Sequence, residues 1–265
     1  MLALAPTGRG RLDNTQVLVG AAEICFRNGR NGGAQMRYLA TAFAVAAICI
    51  LTAGCGSGDN QGAKSTTTTT TTTLIPRPVV ERELDGLLLP PEQINPVMGA
   101  TELKLTRKHD QMSDDSATME PRECLAIDGS VQAQVYADSG FTAMRDQAFN
   151  DGDNFTHYAE EAVVLFPTAK QAGAFFNNSA KQWPACHQYR HIQSGTEWTA
   201  GPISNADGIL SVVATQQNAR AGGWACGRAL ALKNNIIVDV NTCSPDPKNS
   251  AVDLARQIAA KVPLR

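Results

Sequence analysis

Four widely spaced cysteines beyond residue 100 constrain the fold of this chain more than any other feature. They are Cys124, Cys186, Cys226 and Cys243. None belongs to a Cys-x-x-Cys pair, which argues against a zinc site and favours two disulfide bonds. Because disulfides persist in oxidising compartments, the pattern predicts a domain that folds outside the cytoplasm.

A predicted β-hairpin around Asn234-Asn235 assigns one of these bonds. Asn tolerates positive φ better than most residues, and a two-residue type I′ loop requires positive φ at both positions. With both asparagines in the loop, Lys233 faces Ile236, and the same register places Cys226 opposite Cys243. That position is a non-hydrogen-bonded pair, where Cα atoms lie about 4.5 Å apart. A disulfide tolerates Cα separations from about 4.4 Å.

By elimination, the second disulfide joins Cys124 to Cys186. The loop that it closes is long, so in the chain-entropy model it contributes a few kcal/mol to stability.

A second strong feature is the segment that leads up to Cys55. Met36-Arg37-Tyr38 carries a positive charge, Leu39–Ala53 is apolar or small, and Gly54-Cys55 follows. This is the layout of a secretory signal, and it is shorter than the roughly 20 residues of a membrane span. Leu51–Cys55 resembles a bacterial lipobox, which implies diacylglycerol on the Cys55 sulfur and cleavage before it. The alternatives are a plain signal peptide and an anchor helix that contains a cysteine by chance.

These features divide the chain into four segments. Residues 1–35 either precede the true initiator, Met36, or extend the cytoplasmic start of the signal. Residues 36–54 are the predicted signal peptide, and residues 55–80 form a flexible tether that contains eight threonines at 66–73. This tract is either an O-glycosylation substrate or an unmodified linker. Residues 81–265 are the predicted folded domain.

The folded domain reads as strands interrupted by a few helices. Strands are predicted at Phe141–Phe149, Phe155–Phe166, Ile209–Thr215, Ala225–Leu232 and Ile236–Thr242. Helices are predicted from Pro90-Pro91 to Met98, at Thr168–Trp183 and at Ala251–Val262, and Val131–Ala137 is ambiguous between helix and strand. Capping boxes, Thr168 with Gln171 and Ser250 with Asp253, begin the last two helices. Because strands outnumber helices and are mostly adjacent in sequence, we expect an α+β fold, an antiparallel sheet flanked by helices.

Several kinds of chemistry have little support in the sequence. The net charge of −2 gives no electrostatic reason to expect a nucleic-acid partner. The motifs of serine hydrolases, zinc proteases and nucleotide-binding loops are missing from the sequence, which predicts a non-catalytic protein without a cofactor. His187 and His191 have the spacing of a helical metal pair, but their segment alternates like a strand, so we expect no metal.

Short motifs across the domain resemble the PknH-like extracellular sensor domain family of mycobacteria. They are Leu87–Pro90, Glu123-Cys124, Val135–Ala137, Phe166-Pro167, Trp183–Cys186, Trp224–Cys226 and Asn235–Val240. The resemblance covers roughly Leu84–Arg265, and the cysteine spacing is its most specific part. It implies an antiparallel sheet flanked by helices, a surface cleft proposed to bind a ligand, and the same two disulfides. Family members occur as outer domains of receptor kinases and as free lipoproteins, and the lack of kinase motifs favours the second form.

The sequence therefore predicts a lipoprotein on the outer side of the cell membrane, with a non-catalytic sensor or ligand-binding domain. Its expected partners are the membrane, through the lipid anchor, and an unknown small-molecule or envelope ligand. The alternatives are a cell-envelope enzyme acting on lipid or glycan, and a scaffold for envelope proteins. The candidate ligand-binding residues are Tyr136, Arg145, whose guanidinium fork suits phosphate or carboxylate, and Trp224, which could line an apolar pocket.

Overall fold

The computed structural model of the protein describes residues 77–263. The predicted signal peptide, the lipidation site Cys55 and the threonine tract lie outside the described residues, so those expectations stay predictions. Between residues 77 and 263, no helix combines the length and the apolar character that crossing a membrane requires.

A ten-stranded antiparallel sheet forms the centre of the fold. Its strands are β1 Lys104–His109, β2 Met119–Glu120, β3 Ala143–Asn150, β4 Tyr158–Leu165, β5 Gln188–His191, β6 Glu197–Ala200, β7 Ser204–Ala206, β8 Ile209–Gln216, β9 Ala225–Lys233 and β10 Ile236–Ser244. Their order across the sheet is β1-β3-β4-β10-β9-β8-β6-β5-β2, and β7 pairs with β8 beside this path. The predicted α+β class with an antiparallel sheet is confirmed.

Five α-helices accompany the sheet in the described part of the chain. They are α1 Pro91–Met98, α2 Leu125–Asp128, α3 Ala133–Tyr136, α4 Ala169–Gln182 and α5 Ser250–Lys261. The three predicted helices are present within a residue or two of their expected bounds. The ambiguous stretch Val131–Ala137 contains the four-residue helix α3. Gly99 ends α1 with φ 67°, a left-handed conformation that glycine adopts without steric cost.

Both faces of the central strands are buried. One face packs against α1, α5 and the segment that precedes α1, through side chains such as Val163, Val238 and Leu254. The other packs against α2 and α4, through Val164, Ile237 and other apolar residues. Successive residues of a strand point to opposite faces. A strand covered on both sides is therefore buried at nearly every position, as β4 and β10 are.

The predicted β9–β10 hairpin and both disulfides are confirmed. Cys226 faces Cys243 in the expected register, and their bond joins Cα atoms 4.1 Å apart. The prediction of a type I′ loop was wrong, because Asn234 has φ 53° whereas Asn235 does not adopt positive φ. Positive φ at the first position alone is the pattern of a type II′ loop. The side chain of Asn235 is instead buried and bonds the backbone of Val79, which fixes its conformation.

The two predicted capping boxes differ in outcome. Thr168 caps α4, since its hydroxyl accepts a hydrogen bond from the Gln171 N–H at 3.2 Å. Ser250 does not cap α5: Asn249 occupies the N-cap position, and no side chain bonds there. The Ser250 hydroxyl shares a 2.7 Å hydrogen bond with the Thr242 hydroxyl of β10. Contact with the sheet therefore replaced the local cap that the sequence suggested.

Candidate functional site

A surface groove lies between α3 and α4 in the described part of the chain. Two adjoining hollows, of about 280 and 430 Å³, share Val135, Ala137 and Gln182. The larger hollow extends toward α2 and the Cys124–Cys186 disulfide, where Glu123 and Ala185 line it. We call these two hollows together the α3–α4 groove. Their size falls in the range of small-molecule sites.

The base of the α3–α4 groove is apolar. Leu125 and Ala126 of α2 and Phe175 of α4 line it and are almost completely buried. Val135 of α3 is half-buried between the two hollows. These side chains cannot bond polar groups, so they offer surface for an apolar face of a bound molecule.

The rim of the α3–α4 groove carries side-chain amides. One stripe of α4 contains Gln171, Asn178 and Gln182, since the last two follow Gln171 by seven and eleven residues. Gln171 accepts a hydrogen bond from the Thr168 hydroxyl. Within residues 77–263, the amides of Asn178 and Gln182 have no protein partner. A side-chain amide both donates and accepts hydrogen bonds, so this stripe offers both functions to a ligand.

The ring of Tyr136 supports this groove from below. It stacks on Phe175 with centroids 4.2 Å apart and planes 20° apart, which couples α3 to α4. Its hydroxyl donates a 2.9 Å hydrogen bond to the Asp239 carboxylate of β10. Burial, and then the charge of Asp239, raise the pKa of Tyr136 well above its ordinary value. Tyr136 is therefore a neutral, fixed hydrogen-bond donor in the core.

Asp239 and Arg228 join the walls of the groove to the sheet. The Asp239 carboxylate also accepts a 2.9 Å hydrogen bond from the Val131 N–H, next to α3. Arg228 pairs with Asp239 and donates to the Ala126 carbonyl of α2 at 3.1 Å. Its guanidinium also lies over the Trp183 ring, at the end of α4, 5.6 Å from the centroid. One buried ion pair thus contacts the three helices that form the groove.

The backbone on either side of α3 is strained. Val131 has φ 43° and Asp138 has φ 58°. A β-branched residue rarely adopts a left-handed conformation, and such positions cost of order 1–3 kcal/mol each unless surrounding contacts fix them. The bond from Val131 to Asp239 is such a contact. The α3 wall is therefore held in a defined position before any ligand arrives.

The structure does not bring the three predicted ligand-binding residues together. Tyr136 is buried beneath the α3–α4 groove and does not line it. Arg145 lies elsewhere on β3, and its guanidinium pairs with Glu81 at 3.1 Å and Asp85 at 3.2 Å. Trp224 lines a separate hollow of about 350 Å³ that Phe155 and Arg220 also line. The ligand-binding role of these residues remains a prediction.

The two histidines of the predicted β-strand also lie apart from the groove. His187 is exposed just before β5. His191 bonds the Asp128 carboxylate at 2.8 Å, and this hydrogen bond raises the pKa of His191. Across residues 77–263, no three metal-ligating side chains converge.

Sequence reasoning missed Asn178 and Gln182, although their spacing was a usable signal. The buried stripe of α4 is readable from its apolar residues, and an amide stripe beside it marks a surface that is polar but uncharged. The ion pair between Arg228 and Asp239 was also readable. In the predicted hairpin register, Arg228 faces Asn241, so Asp239 is its diagonal neighbour on the same face.

Comparisons of sequence and of structure relate this chain to the same group of proteins. A family model described as the PknH-like extracellular domain matches residues 79–261. The chain is 33% identical over 192 residues to the serine/threonine-protein kinase PknH of Mycobacterium bovis, covering 71% of this chain and 32% of that protein. It is equally similar to PknH of Mycobacterium tuberculosis H37Rv, covering 30% of that protein. The chain thus spans about a third of the length of these relatives.

The fold agrees with a solved relative. The crystal structure of the extracellular domain of PknH from Mycobacterium tuberculosis matches with a TM-score of 0.66 and 33% identity. The match covers 70% of this chain and 97% of that one. The residues that the family model matches, 79–261, include both walls of the α3–α4 groove and all four paired cysteines. This chain belongs to the PknH-like extracellular domain family.

Proposed function

We propose that this protein is an extracytoplasmic binding module, tethered to the membrane through Cys55, whose ligand site is the α3–α4 groove. The observation that carries the proposal is the groove itself. Two buried interactions, the Tyr136–Phe175 stack and the Arg228–Asp239 pair, fix its walls. Preformed walls reduce the ordering cost of binding. The extracellular-domain family supports a sensing role, and two intact disulfides agree with a location outside the cytoplasm.

The ligand site is tested by filling the groove. Ala174 is an exposed α4 residue that lines the groove. An Ala174→Trp substitution therefore occupies the space of a ligand without disturbing the core. Lys181→Trp is the matched control, because Lys181 is exposed on the same helix and does not line the groove.

We expect native mass spectrometry of the full-length chain, isolated from its own host, to show a reproducible added mass. The added mass should disappear in Ala174→Trp and persist in Lys181→Trp. A clean unliganded mass for the wild-type chain, or an added mass that survives Ala174→Trp, would refute the groove as the ligand site.

The tether is tested at Cys55. Two signals are usually needed for stable anchoring by single lipid chains, and a diacylglycerol supplies two chains at once. We expect the wild-type chain to fractionate with membranes and Cys55→Ser to be lost from them. Mass spectrometry of the wild-type N-terminal peptide should show diacylglycerol on Cys55. Membrane retention of Cys55→Ser at wild-type levels would argue for an anchor helix instead.

A further inference from the structure

We infer that the α3–α4 groove takes a neutral, hydroxyl-rich ligand, of the chemistry of a short oligosaccharide. This inference rests on the proposed function and specifies the ligand class. A carbohydrate presents hydroxyls that both donate and accept hydrogen bonds, around ring faces made of C–H groups. A matching site needs groups with both hydrogen-bonding functions beside an apolar surface.

The amide stripe supplies the first requirement. Asn178 and Gln182 each offer two N–H donors and one carbonyl acceptor, and protein groups in the described chain leave both amides uncommitted. They lie one helical turn apart, which is the distance at which neighbouring side chains on a helix can contact one molecule. Because amides are uncharged, they can bond a hydroxyl without the large desolvation cost that a charged group carries.

The apolar base supplies the second requirement. Phe175 lies three residues before Asn178 on α4, and Val135 of α3 lines the same hollow. The stack with Tyr136 holds the Phe175 ring in place. A sugar ring that places its C–H face on Val135 and Phe175 brings its equatorial hydroxyls toward the amides on the rim.

The charges of the groove argue against an anionic ligand. Among the residues of 77–263 that line the hollow between α3 and α4, Asp138 is the only ionisable one and none is basic. At the α2 end, Arg122 and Glu123 both line the larger hollow, so the described lining there carries no net charge. A phosphate or carboxylate would enter beside Asp138 without a dedicated cation, which costs free energy.

A second hollow in the same domain provides a contrast. There Arg220 lies 5.9 Å from the centroid of the Trp224 ring, beside Phe155. That site offers a cation and aromatic surface, whereas the α3–α4 groove offers amides and no lysine or arginine in its α3–α4 hollow. The two hollows therefore differ in the ligand charge that they favour.

The test is saturation-transfer NMR on the full-length chain in phosphocholine micelles, which contain no sugar. The probes are mannotriose, arabinotriose and maltotriose, with glucose 6-phosphate as the charged comparison. We expect transfer to at least one neutral trisaccharide and none to glucose 6-phosphate.

In Asn178→Ala/Gln182→Ala, the apparent Kd should rise about fivefold or more, as expected for two lost hydrogen bonds. The matched control, Asn177→Ala/Lys181→Ala, changes exposed α4 residues outside the groove and should bind as the wild type does.

A further measurement distinguishes a membrane glycolipid from a free glycan as the natural ligand. Phosphocholine micelles that also contain digalactosyl diacylglycerol should displace the trisaccharide if a glycolipid headgroup is the natural ligand. If only the soluble sugars compete with one another, a free glycan is the source. Either result supports a neutral glycan ligand.

Two results would overturn the ligand class. One is no transfer to any of the three trisaccharides, and the other is binding of glucose 6-phosphate in preference to them. Neither affects the proposed function if the native added mass is still lost in Ala174→Trp. If that added mass is missing as well, the proposed function itself fails.

Discussion

Asp239 is the residue on which the candidate site most depends. Its carboxylate accepts hydrogen bonds from Tyr136 and from the Val131 backbone, and it pairs with Arg228. Both charged side chains of this pair are almost completely buried, at 2% and 1% exposure. The removal of one member of a buried ion pair leaves the other without a counter-charge, which costs far more than the loss of a surface pair.

We expect Asp239→Asn to lower the free energy of unfolding by about 3–5 kcal/mol, since Arg228 would remain buried and unpaired. Urea unfolding with the disulfides intact measures this. Asp253→Asn is the control: the Asp253 side chain on α5 is half-exposed and, among the described residues, pairs only with Arg256, so the loss of its charge should change stability by less than about 0.5 kcal/mol. Equal stabilities for the two variants would show that the pair does not hold the fold together.

Two buried carboxyl groups make stability depend on pH. Burial raises the pKa of Glu161 to about 7, although the Leu89 N–H and the Gln147 amide donate to its carboxyl group. Burial, and then the adjacent Glu160, raise the pKa of Asp146 to about 8. Both values exceed those of the unfolded chain, so the folded state holds more protons. This stabilisation is complete in acid, below the ordinary pKa of these groups, and is lost as pH rises through about 7 and 8.

We therefore expect the free energy of unfolding to fall between pH 5 and 8.5, by at most about 1.4 kcal/mol per pH unit for each group. Glu161→Gln should flatten part of this slope, because an amide does not titrate. Its oxygen still accepts the hydrogen bond from the Leu89 N–H. Glu197→Gln changes an exposed residue and serves as the control. Denaturant titrations at several pH values measure the slope, and an unchanged slope in Glu161→Gln would contradict the assignment.

At the scale of elements, local chemistry made some pieces predictable. The β9–β10 hairpin was readable because a two-residue loop fixes the register and two cysteines agree with it. Helix α4 was readable from its Thr168 cap and apolar stripe. In contrast, α3 has four residues and is fixed by bonds to a distant strand, so its own sequence could not decide between helix and strand. Ser250 satisfied the local capping pattern but bonds Thr242 instead.

The α3–α4 groove was harder to predict than the helix that carries its amides. Its walls come from residues 122–139 and 171–185, which are brought together by the sheet and by Cys124–Cys186. Sequence alone gave the disulfide by elimination, but it did not give the stacking of Phe175 on Tyr136. Arg145 was chosen for its chemistry, yet its guanidinium is bonded by two carboxylates from the segment before α1.

The two disulfides should differ in their contribution to stability. Cys124–Cys186 spans 62 residues and Cys226–Cys243 spans 17. In the chain-entropy model the longer loop stabilises more, by about 1 kcal/mol. We expect Cys124→Ser/Cys186→Ser to be less stable than Cys226→Ser/Cys243→Ser by this amount in thermal unfolding. The first variant should also bind its ligand less tightly, because its bond closes one end of the groove. The reverse order of stability would show that strand pairing, not loop closure, dominates.

At the scale of the whole domain, central strands that are buried on both faces support the α3–α4 groove. The face that packs against α1 and α5 is mainly apolar but also buries Glu161, which bonds the Leu89 N–H, and the face covered by α2 and α4 contains the buried Arg228–Asp239 pair beneath the groove. A polar core of this kind is costly to build, and its bonds converge on the three groove helices. We interpret the free energy spent on burying this ion pair as what keeps the proposed ligand site rigid.

The most direct measurement is an electron-density map of the full-length protein crystallised after purification from its own host. We expect density for a non-protein molecule between α3 and α4, resting on Phe175 and within hydrogen-bonding distance of Asn178 and Gln182. Density confined to the hollow beside Trp224, or a groove that holds only water in protein that carries a bound mass, would contradict the site proposed for this domain.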